Sequence, residues 1–111
     1  MAPTAHLNAR SQTSFGVNAG SARFSIPVSH TTRHSKDLRV QVRQALNEGD
    51  RHLVVDCTDW NQFDLTMLSS LIQCAAVCRE HGASFEVENM SNDIRESVRD
   101  LQLAGRLGLA D

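Results

Sequence analysis

The chain reads as an α/β domain, a four- to five-stranded mixed sheet with helices packed mainly on one face. Three observations predict this. Short stretches of period-two alternation take turns with stretches whose apolar residues recur at helical spacing, in the order strand, strand, helix, strand, helix, strand, helix. Strand–helix–strand units set neighbouring strands parallel through right-handed crossovers. The first two strand-like stretches are separated only by the turn residues Asn18, Ala19, Gly20 and Ser21, which predicts a hairpin and hence a mixed sheet. With 111 residues there is room for one domain.

The elements follow in order. Residues 1–13 are small and polar with no sustained period and read as a flexible leader, leaving 14–111 for the domain. Phe15 and Val17 alternate with Gly16 and Asn18, a first short strand. Phe24, Ile26 and Val28 alternate with polar residues and Pro27, a second strand that Pro27 confines to an edge. Residues 29–35 are a polar loop, and Ser35 can cap the helix that follows. Leu38, Val42, Ala45 and Leu46 share one helical face, and Gly49 ends it. Residues 52–57 are a continuous apolar run, as in a strand covered on both faces or parallel to its neighbours. Asp64 is a good N-cap for a largely buried helix that stops at Gly82. Phe85 and Val87 alternate with polar residues in another strand. Ser91 or Asn92 caps a last helix with Ile94, Val98 and Leu101 on one face, and residues 103–109 are apolar enough to pack.

Composition narrows the function classes. Eleven basic against thirteen acidic residues give a formal charge of −2, which argues against nucleic acid as a partner. No apolar run is long enough for a membrane span, and residues 1–18 lack the apolar stretch of a secretory signal. Three cysteines in apolar surroundings read as reduced thiols, which points to the cytoplasm. Four Phe, one Trp and no Tyr make an aromatic base-stacking surface hard to build.

The chemistry-bearing residues gather before and inside the central helix. Asp56, Asp59 and Asp64 are three carboxylates beyond a strand end; loop capping accounts for them without a metal. Cys74 and Cys78 are helical neighbours and Cys57 ends the adjacent strand, but three thiols fall short of a zinc site's four ligands. His30 and His34 read as solvated. No nucleophile–base set, glycine-rich phosphate loop or paired carboxylates can be assembled, so the reading is a non-enzyme with no cofactor and no metal. Trp60 is either a partner anchor or a cover for the sheet edge. The start of the Asp64-capped helix, with Thr66 near it and Ser69 and Ser70 a turn further on, offers unpaired N–H groups to a negative charge. Leu65 shares a helical face with Leu68 and Ile72, which predicts Leu65 inside and Met67 outside.

Residues 53–82 resemble the STAS domain, the family of sulfate transporters and anti-sigma-factor antagonists. The pattern is an apolar strand ending in Asp, a short loop, then Asp-Ser-Ser-Gly-Leu opening a helix. Here Leu53-Val54-Val55-Asp56 ends the strand and Asp64-Leu65-Thr66-Met67-Leu68 opens the helix, with the family's eight-residue step from Asp56 to Asp64. Leu65 stands where kinase-regulated members carry the phosphorylated serine, Thr66 aligns with the next serine, and Met67 with the glycine. The resemblance implies a regulatory module that docks through Asp59, Trp60, Asp64, Leu65, Thr66, Met67, Ser69 and Ser70, with Thr66 the candidate phosphoacceptor. It implies as partner an anti-sigma factor with serine/threonine kinase activity. The alternative is an accessory subunit docking on the ATPase of a lipid-transporting ABC system, and a weaker one is a nucleotide- or lipid-binding domain.

Overall fold

Two glycines place the turns between helix and strand. Gly49 (φ +104°) and Gly82 (φ +71°) sit in the left-handed region just past a helix end, one or two residues before a strand begins. The computed structural model describes residues 20–28 and 32–109. Among these, β1 (Gly20–Ser25), α1 (Thr32–Asn47), β2 (Asp50–Asp56), α2 (Leu65–Glu80), β3 (Ser84–Glu88) and α3 (Asn92–Asp100) follow one another, and a 3-10 turn (Ala104–Leu107) closes the described chain.

The sheet has the order β1-β2-β3, and both pairings are parallel. This corrects the expected four- to five-stranded mixed sheet to three parallel strands among the described residues. The antiparallel element of that expectation was the hairpin, and its first strand, with the leader and His30, lies outside the described residues. Its second strand runs earlier than expected. Gly20 and Ser21 are ladder residues opposite Asp50 and His52, not a turn. The in-facing row of Phe24 and Ile26 extends backwards through small Ala22, which is buried, whereas Val28 is 60% exposed beyond Pro27.

Register fixes the two faces. Ala22, Leu53 and Phe85 lie side by side, as do Phe24, Val55 and Val87. This face packs into the core with Leu38, Val42 and Leu46 of α1, Leu68 and Leu71 of α2, and Ile94 and Val98 of α3. The opposite face carries Arg23, His52, Asp56, Glu86 and Glu88 around Val54. The three helices therefore share one face of the sheet.

Two further details differ from the sequence reading. α1 begins at Thr32, so Ser35 is not its cap but an interior residue, 1% exposed, where α1 meets α2. There Ser70 Oγ donates to the Ser35 carbonyl at 3.0 Å, and Ser35 Oγ lies 4.0 Å from Met67 Sδ. Leu101 is 46% exposed, because α3 ends there and only Ile94 and Val98 stay on its inner stripe. The 3-10 turn packs inward through Ala104 and Leu107, with Leu103 and Leu109 partly buried beside it.

Candidate functional site

Parallel strands all finish at one end, and the loops leaving them converge there. The ladder runs one residue past β2: Ile26 N donates to the Asp56 carbonyl at 3.3 Å and Cys57 N to the Glu88 carbonyl at 2.8 Å. Asp56 then turns the chain. Its Oδ1 accepts from Thr58 N at 3.0 Å, Thr58 Oγ1 at 2.6 Å and Asn89 Nδ2 at 3.0 Å. Hydrogen bonds to the ionised form favour it, so Thr58 first, then Asn89, hold the Asp56 carboxyl down at about 2, with the Arg23 charge adding to the effect. Arg23 reaches from β1 across the sheet to Glu88 at 2.6 Å and comes within 3.9 Å of Asp56.

The loop from β2 to α2 folds inward before it turns out. Trp60 N donates to the Cys57 carbonyl at 3.0 Å, and the indole is 0% exposed, stacked on Phe63 with ring centroids 6.4 Å apart. Asp64 follows in extended conformation, and its carboxylate accepts from Thr66 N at 3.2 Å and Met67 N at 3.3 Å, the N-cap arrangement of α2.

The residues singled out in the sequence divide by depth. Asp59, Leu65, Thr66 and Ser69 are exposed and Asp64 is half-buried. Trp60, Met67 and Ser70 are buried, the indole and Met67 within the core cluster. The expected orientation of Leu65 and Met67 is reversed: Leu65 is 61% exposed and Met67 1%. The inner stripe of α2 runs Met67, Leu68, Leu71, Cys74, Ala75, Cys78, which leaves the first helical position outside it. Ser70 is held between the helices by its bond to Ser35.

The carboxylates serve the local backbone and the three cysteines are buried. Asp56 turns a loop and Asp64 caps a helix, and among the described residues no group of three or more His, Cys, Asp or Glu is spaced to hold a metal ion. Burial pushes the Cys57 and Cys74 thiols up to about 12 and Cys78 to about 11, far from the thiolate that nucleophilic chemistry needs. Sequence reasoning missed Arg23 and Glu88, which join the site from the neighbouring strands, and Asn89, just past the end of β3. Asn89 carried the one local signal, since Asn tolerates the left-handed conformation it adopts (φ 60°). No helix among the described residues is long and apolar enough to cross a membrane.

A family model described as Mlab, STAS domain, matches residues 23–110, most of the chain. No curated protein and no solved structure matches it.

Proposed function

We propose, from the premise that the chain belongs to the STAS domain family, that it is a non-catalytic regulatory module docking a protein partner at the start of α2. One observation carries this reading. Leu65 stands 61% exposed on the first turn of a capped helix whose other large apolar side chains are turned inward. A lone exposed leucine is unremarkable by itself. Here it occupies the position of the family's phosphoacceptor serine and has exposed Thr66 beside it and exposed Ser69 one helical turn on, polar groups next to one apolar anchor.

The finer reading is an antagonist that binds an anti-sigma factor with serine/threonine kinase activity. Thr66 is then the candidate phosphoacceptor, because it is the exposed hydroxyl next to Leu65 and a phosphate there would sit at a helix N-terminus. The second reading, an accessory subunit that docks on an ABC ATPase, is favoured by Leu65 itself, which leaves the usual switch position without a hydroxyl. The matched family description, which names no sigma pathway, is compatible with it.

Titration of the purified chain against an anti-sigma kinase and against an ABC ATPase separates the two readings. Leu65→Asp should weaken the productive partner at least about tenfold, the effect of losing one interface anchor, and leave the melting temperature unchanged. Undiminished binding by Leu65→Asp to whichever partner binds would remove the helix start from the interface. Kinase with ATP should modify the native chain and not Thr66→Ala; modification of both variants alike would exclude Thr66 as acceptor.

A further inference from the structure

We propose that the groove between α1 and α2 is a second docking site, built for a carboxylate side chain on an acidic segment of a partner protein. It does not rest on the reading of the α2 start: Gln73, on its rim, lies eight residues along the helix from Leu65, about 12 Å away.

The groove is lined by Arg39, Val42 and Arg43 from α1 and Gln73, Cys74 and Val77 from α2. Arg39 and Arg43 are one helical turn apart and so present two guanidiniums on the same side. Arg39 Nη1 donates to Gln73 Oε1 at 3.1 Å, which steers the guanidinium across the groove. Its Nε is shielded from solvent and has no hydrogen-bond partner among the described residues. The planar fork of guanidinium donors matches a carboxylate, and the exposed Arg43 guanidinium, one turn on, brings a second fork to the rim. Val42 and Cys74 form the apolar floor, both almost fully buried, as suits the aliphatic stem of a glutamate.

Charge distribution points the same way. α1 carries Arg33, Lys36, Arg39 and Arg43 against the single carboxylate Asp37, in a chain whose net charge is −2. An acidic segment would meet a local cationic stripe there and be turned away from the rest of the surface. A lipid surface fits less well. The large apolar side chain exposed on α1 is Val40 alone, with no aromatic residue on the helix to insert.

The test is an amide-resolved NMR titration of the full chain with N-acetyl hexaglutamate. Shifts should concentrate in residues 36–43 and 69–77 and diminish as ionic strength rises from roughly 0.05 to 0.3 M. Arg39→Gln/Arg43→Gln should weaken binding at least about tenfold with an unchanged melting temperature, and Arg39→Lys, which keeps the charge and loses the planar donor fork, should recover only part of it. The proposal is overturned if no amide moves. It is equally overturned if the shifts spread to Arg79, Arg95, Arg99 and Arg106, if Arg39→Lys binds like the native chain, or if phosphatidylglycerol vesicles or a DNA duplex bind these residues in preference to the peptide.

Discussion

Asp56 shows how one side chain can organise a strand end. Three donors converge on a single carboxylate oxygen, and the loop to Trp60 and the Asn89 turn both hang from it. Because its folded pKa, about 2, lies below its unfolded value near 3.8, the stability it contributes is fully present above pH ~4 and is lost as pH falls from there through 2. Urea unfolding of Asp56→Asn should therefore show less loss of stability between pH 4 and pH 2 than the native chain. Parallel pH profiles of the two proteins would exclude Asp56 as the titrating group. The same residue scale is where the sequence was least informative. α2 is apolar on nearly every side, so the period that placed Leu65 beside Leu68 and Ile72 competes with a second stripe through Met67, Leu71 and Cys74. Only packing against α1, with Ser35 and Ser70 at the crossing, chooses between them. Arg23 and Glu88 are 65 residues apart, and no local pattern could pair them.

At the scale of elements, the ends were more legible than the interiors. Caps and stops are short-range chemistry: Asp64 and Ser91 accept the first free N–H groups of α2 and α3, and Gly49 and Gly82 take the left-handed conformation at the turns. At α1 the residue before Thr32 lies outside the described residues, and Ser35, which has capping chemistry, sits inside the helix, so the helix begins four residues earlier than a Ser35 cap implies. α3 ends differently from the other two. Gln102 adopts φ 62° where glycine is usual. Replacing it should relieve strain, so Gln102→Gly is expected to raise stability by about 1 kcal/mol, while Asp64→Ala lowers it by about 1 kcal/mol through the lost cap. Thermal melts of both variants check the opposite signs. A lower melting temperature for Gln102→Gly would mean that backbone entropy outweighs the strain.

For the whole molecule, topology decides which face is closed. The sequential strand order β1-β2-β3 has no reversal, so two right-handed crossovers must put α1 and α2 on the same side. The alternation of strand and helix made this parallel core readable. The run Leu53-Val54-Val55 allowed a strand covered on both faces, and the structure shows why it needs only one cover. Val54 is 7% exposed yet stands outside the core cluster, between its register partners Arg23 and Glu86. Long charged side chains can lay their aliphatic stems over such a residue while their heads stay in water. The two faces should then respond very differently to truncation. Leu53→Ala removes a fully buried side chain from beneath the helices and should cost about 2–5 kcal/mol. Glu86→Ala, one strand over on the opposite face, should stay within about 0.5 kcal/mol of the native chain. Urea unfolding of both, read at constant m-value, makes the comparison. A loss for Glu86→Ala approaching that for Leu53→Ala would show that the polar face is closed over as tightly as the helical one, and the one-sided core would have to be abandoned.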